Sequence, residues 1–487
     1  MKYYYPYKVL NRYWVYDRYS NKISEVDSVT YKIFSTFDKH TFDESKAIEC
    51  LKSYAEKNII IEKIKEIKKY GKIHNMFKPM DIQKCIMPIN DTELIKKYKN
   101  EIRHVVFNLT DDCNLRCKYC KFGGTYDYVK THIKRNMSYE IINASLRFIA
   151  NHYKKKETLI IAFYGGEPLL EFKKIKYIVE NLNNQYKNVR YAFTTNGVLL
   201  KNEIITFLIK NNFSIKISLD GPKIAHDRNR ITQNGTGSFD LIEKKINMIK
   251  KTNLNFFKKK VGFVLTIAPP YNLNEVLNFF EKNTYLNQPV IINFVDPIGT
   301  NFFDGFNMEY ENKKLKDQQK ELLKEYFKLK IKGIHTVRLK LLEEFFGKNL
   351  FVMDKRYIFP LEKFVSPNGA CYPGLDRLFI TTEGKLTMCE KVNEDLPFGD
   401  VFNGINIEYV KNIYNDYCSL IDKVCLDCWA YRICRSCFNG SIENGVLSEK
   451  RKRIDCKFKK QAAINKLHNY TRLKMVDENI FTNGTFS

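Results

Sequence analysis

The sequence predicts an α/β fold built on a parallel sheet. Six short apolar runs alternate with segments of helical spacing between Arg103 and about residue 300. Polar or glycine-rich clusters follow the first four runs, where a parallel sheet gathers its reactive loops at one rim. A separate unit precedes this region, and a cysteine-dense tail follows it.

The N-terminal stretch YKVLNRYWVYDRYSNKISEVD alternates apolar and polar residues around a turn at Tyr19–Lys22, which predicts a hairpin. SVTYKIFSTF and the segment from Asp43 through Tyr54 carry helical spacing. Residues 1–75 therefore read as a winged-helix-like module, and 76–100 as a linker. The predicted strands are His104–Leu109, Leu159–Tyr164, Tyr191–Thr194, Ile215–Leu219, Val261–Ile267 and Val290–Val295. Tyr139–Tyr153, Phe172–Leu182, Asn202–Ile209, Leu241–Lys250 and Leu273–Phe280 are the helices between them. Residues 101–310 form the core domain, 311–364 a bridge with a helix at Gln318–Lys330, and 365–487 a metal-stapled domain.

Composition narrows the function classes. No run of 18 apolar residues occurs, so no membrane span is expected, and the first residues lack the apolar segment of a secretory signal. A cytoplasmic protein is the default expectation, and there 13 cysteines point to metal or catalysis rather than disulfides. The net charge of +26 is spread along a lysine-rich chain. It reads mainly as composition, with attraction of an acidic peptide as a secondary reading and nucleic acid disfavoured.

The chemistry concentrates in TDDCNLRCKYCKF, where Cys113, Cys117 and Cys120 are spaced C-x3-C-x2-C. A structural zinc site closes with four ligands, whereas three thiols leave a position open. This loop follows the first strand, Gly165-Gly166-Glu167-Pro168 the second and Thr195-Asn196-Gly197 the third, while Ser218-Leu219-Asp220-Gly221 ends the fourth. The pattern resembles the radical S-adenosylmethionine enzymes over about residues 103–300. The resemblance implies a partial (β/α)6 barrel in which Cys113, Cys117 and Cys120 hold a [4Fe-4S] cluster. Its free iron chelates S-adenosylmethionine, whose reductive cleavage gives a 5′-deoxyadenosyl radical. It also implies cofactor contacts from Tyr119 at the adenine, Gly165, Gly166, Glu167 and Pro168 at the methionine amino group, and Asn196. Ser218 and Asp220 fall near the ribose, and Arg230 or Arg228 near the methionine carboxylate. The plainer reading of the loop is a zinc knuckle.

The tail reads Cys371, Gly384-x4-Cys389, Cys425-x2-Cys428-x5-Cys434-x2-Cys437 and Cys456, and is similar to the SPASM extension. The family spaces its last close pair by three residues, where this chain has Arg435 and Ser436 only. The resemblance implies two auxiliary [4Fe-4S] clusters, three in all. Cys371, Cys389 and Cys437 would hold one, with Cys418 or an open iron as its fourth position. Cys425, Cys428, Cys434 and Cys456 would hold the other. Two tetrahedral zinc sites are the alternative. Cys50 and Cys85 fall outside these patterns and read as buried small hydrophobes.

Residues 1–75 are similar in pattern to leader-recognition domains, which take a precursor peptide as an added strand. The expected function is thioether crosslinking of a ribosomally made precursor, with flavodoxin or ferredoxin as electron donor. An anaerobic sulfatase-maturating enzyme, in which an aspartate rather than Glu390 follows the cysteine matching Cys389, is the nearest alternative. Peptide epimerisation and a redox-sensing nucleic-acid-binding protein are the others.

Overall fold

Six strands carry β-branched and aromatic residues on both faces, as strands buried between layers must. They are reached through an N-terminal meander of β1 (Tyr4–Val9), β2 (Arg12–Asp17) and β3 (Lys22–Val26), followed by the two-residue strand β4 (Lys84–Cys85). The six are β5 (His104–Thr110), β6 (Leu159–Gly165), β7 (Val189–Thr195), β8 (Ser214–Ser218), β9 (Val261–Ile267) and β10 (Val290–Phe294). The computed structural model describes residues 4–36, 44–78, 82–126, 131–154, 157–283, 290–392, 394 and 396–481. Asp43, the expected start of the second N-terminal helix, lies outside them.

Two compact units divide the chain. One comprises residues 91–347 and 371–410, and the other 1–90, 348–370 and 411–487. In the first, β5 to β10 lie in sequential order, each parallel to the next. No reversal of order occurs. Right-handed crossovers then place the connecting helices on one face, and the sheet is that of an incomplete barrel. Helix Tyr139–His152 buries Ile142, Leu146 and Ile149, and helix Phe172–Gln185 buries Ile175, Ile178 and Leu182. The free edge of β5 is not left open: Leu378–Ile380 pairs parallel to it, and Leu386–Thr387 pairs antiparallel beyond. That edge pairing is why residues 371–410 belong with the sheet although the rest of the cysteine-dense tail does not.

In the second unit β1, β2 and β3 form an antiparallel meander, one strand more than the expected hairpin. Helices Ser28–Thr36, Glu44–Leu51 and Lys57–His74 follow. Tyr4, Val15, Phe34, Leu51, Ile60 and Ile64 join in one core. The meander also packs on the C-terminal cysteines: Tyr5 stacks on Trp429 with ring centroids 4.0 Å apart. Within the segment read as a linker, Lys84–Cys85 pairs with Phe364–Val365, and Asp91–Asn100 is a helix opening the sheet unit. The bridging helix runs from Met308 to Ile331, longer than its apolar pattern marks. Among the described residues no helix is long and apolar enough to cross a membrane.

Phe213, fully buried just before β8, packs its ring against Tyr191 at 5.1 Å and Phe193 at 5.7 Å. Phe213→Ala is expected to destabilise the sheet unit by about 3–5 kcal/mol through lost burial and a residual cavity. A lowered denaturant midpoint, read by near-ultraviolet circular dichroism, checks this.

Candidate active site

The rim of the sheet is assembled by backbone contact. The Gly166 N–H donates to the Thr110 carbonyl at 2.9 Å, and the Glu167 N–H to the Asp112 carbonyl at 3.0 Å. A Cβ on Gly165 would stand 2.4 Å from the Thr110 oxygen, and one on Gly166 only 2.1 Å from the Asp112 oxygen and 3.0 Å from Cys113 Cβ. Gly165 also has φ +151. The sequence offers these glycines as a place for a cofactor to approach; here they make room for the cysteine loop itself.

Glu167 is buried beneath this junction, and burial pushes its carboxyl up to about 7. Its Oε1 accepts from the Leu169 N–H and the Thr195 hydroxyl, and its Oε2 from the Asn196 N–H, at 2.7–3.1 Å. It therefore ties the ends of β6 and β7, with Pro168 opening the short 3₁₀ turn that it caps. The Asn196 amide donates to Asn114 Oδ1 at 2.8 Å and faces Cys113 Sγ at 3.7 Å.

On the far side of the loop, Asp220 is buried and fully engaged. Oδ1 accepts from the Thr266 N–H at 2.9 Å, and Oδ2 from Arg230 Nε at 2.9 Å and from the Tyr119 hydroxyl. The guanidinium of Arg230 lies 5.5 Å over the Tyr119 ring and reaches to 4.0 Å from Cys117 Sγ. Arg228 instead donates to the Pro270 carbonyl. His226 Nδ1 accepts from the Asp220 N–H, so Nε2 carries the proton toward Ser238 Oγ, which donates to the Arg230 carbonyl. Burial lowers the His226 pKa to about 4, which keeps the ring neutral. His226, Ser238 and Thr266 carry no sequence signal, because their partners come from four separate segments. Ser218 sits at the end of β8, buried.

Cys113, Cys117 and Cys120 thus stand together at the mouth of the sheet, joined by a turn in which the Cys120 N–H donates to the Cys117 carbonyl. Burial, then neighbouring charges that include the other thiols, pushes Cys113 up to about 12. Among the described residues no three His, Cys, Asp or Glu side chains close around a single ion. His132 Nε2 lies 3.7 Å from Cys120 Sγ, a neighbour the sequence did not mark.

Cys389 arrives at the same rim. Gly384, at φ +83, makes the turn between Leu378–Ile380 and Leu386–Thr387, and Cys389 follows two residues later. The Gly-x4-Cys spacing is therefore that of a tight hairpin. Glu390 Oε1 accepts from Arg377 at 2.5 Å, while its buried Oε2 has no hydrogen-bond partner among the described residues. Tyr164, on β6, is half-buried near Glu390, Cys120, Cys389 and Arg377, and its phenol pKa is raised by burial and by the first three. Cys371 is exposed on the same unit, in a loop held where the Tyr98 hydroxyl donates to the Pro373 carbonyl at 2.5 Å.

In the other unit, Cys425 and Cys428 form a turn closed by the Cys428 N–H on the Cys425 carbonyl. Cys456 comes from helix Glu449–Lys474, and Cys434 follows a turn on Ala430. Cys456 is held down to about 6 by the Cys425 thiol first and then by the Lys452 and Lys460 ammoniums, and Cys425 is pushed up in turn. Cys434 is raised by burial and by Cys428 and Cys456. Each of the four thiols thus has at least one other of the four in its electrostatic surroundings. Cys437 is exposed in this unit. Cys418 is buried in helix Ile407–Val424 against the thiol of Cys85, whose N–H donates to Asp422 Oδ1 at 2.7 Å. Cys85 is thus a buried thiol with a thiol neighbour rather than a mere space-filler. Cys50, expected to be buried, is exposed, because the inner face of its helix is taken by Ala47 and Leu51.

Residues 107–282 match the Radical SAM superfamily, and this segment is a radical SAM domain. The cysteine-type anaerobic sulfatase-maturating enzyme of Clostridium novyi (strain NT) is 27% identical over 181 residues, 36% of this chain and 47% of its own length. The radical SAM cyclopropyl synthase TigE of Paramaledivibacter caminithermalis is 27% identical over 218 residues, 43% of this chain and 44% of its own. The chain thus spans about half the length of these curated relatives. The solved structure of native anSMEcpe with bound AdoMet covers 77% of this chain and 99% of that chain, at TM-score 0.57 and 20% identity, a likeness of fold. The superfamily implies a [4Fe-4S] cluster and S-adenosylmethionine, and the trio Cys113, Cys117 and Cys120 fits the cluster in donor chemistry and placement. When bound, the pair supplies one-electron radical chemistry.

Gly166→Ala forces apart two backbones already in hydrogen-bond contact. Iron bound per chain after anaerobic reconstitution is expected to fall in a background where the tail cysteines are replaced. Gly305→Ala, with no atom within 4 Å of the added methyl, is expected to leave iron binding unchanged.

Proposed function

We propose that this chain is a radical SAM peptide maturase that joins a cysteine sulfur of a ribosomally made precursor to a carbon of an acceptor residue. The observation that carries it is Glu390. Its buried Oε2 has no hydrogen-bond partner among the described residues, it directly follows Cys389, and Tyr164 has Glu390, Cys389 and Cys120 all in its surroundings. A carboxylate oxygen left unpaired in such a place is costly unless a substrate proton meets it. Making the C–S bond removes one hydrogen atom from carbon, one proton from sulfur and one electron. A 5′-deoxyadenosyl radical would take the hydrogen atom and Glu390 the proton, and the clusters that the tail cysteines would hold would accept the electron. Relatives named as sulfatase-maturating enzymes support a peptide substrate, as does a structure of anSMEcpe with a bound Cp18Cys peptide.

The N-terminal module is the leader-binding element in this reading. Its meander has β1 and β3 as edge strands, and an extended leader would add to one of them. Flavodoxin or ferredoxin would donate electrons, and the acidic character of a leader would suit the +26 charge. The second reading is formylglycine formation on a sulfatase, favoured by the relatives, although Glu390 stands after Cys389 where that family has an aspartate.

Reconstituted enzyme is expected to convert precursor, in the presence of dithionite and S-adenosylmethionine, to a product about two mass units lighter per crosslink, with deoxyadenosine formed. An unchanged mass with deuterium uptake from heavy water means epimerisation, and formylglycine on a sulfatase peptide means the second reading. Shifting of random DNA without cofactor cleavage would overturn the enzyme reading. Glu390→Gln is expected to slow crosslinking about 100-fold or more at unchanged iron content, with partial recovery in Glu390→Asp.

A further inference from the structure

Lys452 stands out among the charged side chains. It is fully buried, on the first turn of helix Glu449–Lys474. Its Nζ donates to the Tyr417 hydroxyl at 3.1 Å and to Ser436 Oγ, and lies 5.0 Å over the Tyr417 ring. No carboxylate is among its partners in the described residues. Two neutral hydroxyls do not offset the removal of an ammonium from water, which costs several kcal/mol even after relaxation. A buried cation persists when an anion stands beside it. The groups that can supply one here are thiols: Cys456 follows one helical turn on along the same face, Ser436, which Lys452 contacts, is two residues from Cys434, and Cys425 and Cys456 both act on the ammonium. A second cation addresses the same loop, since Arg18, also buried, donates to the carbonyls of Leu426 and Cys428. Lysines at a protein surface serve solubility; this one spends its charge inward.

We propose that Lys452 is the resident counter-cation of an iron–sulfur cluster held by Cys425, Cys428, Cys434 and Cys456, and that it sets the reduction potential of that cluster. This rests on the auxiliary-cluster part of the proposed function. Four thiolates around an iron–sulfur core carry net negative charge, and each added electron deepens it. A fixed ammonium nearby stabilises the reduced form more than the oxidised one, so it raises the potential. Lys452 is then a positioning residue for electron transfer. Tyr417 and Ser436 hold its head group, and Phe438, whose ring centroid is 4.2 Å from that of Tyr417, backs them.

The test is an electron-paramagnetic-resonance redox titration of full-length protein in which the first trio and Cys371 and Cys389 are alanine. The parent is expected to bind one cluster, lost in Cys425→Ala. Lys452→Met is expected to keep the cluster and shift its midpoint potential to more negative values. Lys452→Arg, which keeps the charge, is expected to restore most of the shift, and Tyr417→Phe to move it less than Lys452→Met. A parent without iron overturns both the cluster and the counter-cation. A cluster whose potential is the same in Lys452→Met as in the parent overturns the counter-cation alone. If Lys452→Met does not fold, the Lys452→Arg and Tyr417→Phe potentials decide: an arginine variant displaced further than the phenylalanine variant overturns the proposal.

Discussion

The contact between the backbone of Gly166 and that of Asp112 and Cys113 fixes the rest of the rim. No side chain fits there, since even a methyl would lie 2.1 Å from the Asp112 oxygen. The end of β6 and the start of the cysteine loop therefore move as one piece. Glu167 extends the piece to the end of β7 through the Thr195 hydroxyl and the Asn196 N–H. From there the Asn196 amide returns to Cys113. Three strand ends and one thiol are locked in a closed circuit of the chain's own groups.

A second circuit holds the opposite side. Asp220 takes hydrogen bonds from three segments, and neutral His226 and Ser238 brace Arg230 from behind. Buried charges of this kind are expensive, and each is matched to a partner in place. The two circuits flank the same loop, so the thiols are presented by a rigid frame although they sit on a connection between elements. That is what a site for radical chemistry requires, since the protein contributes orientation and shielding.

The thiols of the tail follow a different logic. Cys425, Cys428, Cys434 and Cys456 come from a turn and a helix, and the meander supports their loop through Trp429 and Arg18. The N-terminal module and the C-terminal cysteines thus belong to one compact unit while lying at opposite ends of the chain.

The strands, their order of appearance and the loops that follow them were legible in the sequence, because apolar periodicity and glycine placement are local properties. The three-cysteine spacing was equally local, and its loop follows β5; the Gly384-x4-Cys389 spacing was visible too, but the hairpin behind it was not. What the glycines touch and the engagement of Asp220 and Glu167 were not, because most of their partners lie tens to about a hundred residues away. The pairing of Cys85 with Cys418, 333 positions on (418 − 85), could not be read from spacing at all. Nor could the inward charge of Lys452, one of 81 basic residues in the chain. Sequence by itself determined which groups the protein owns and in what order they emerge. Only the tertiary structure decided which of them face each other, since burial and charge act through space and take no account of distance along the chain.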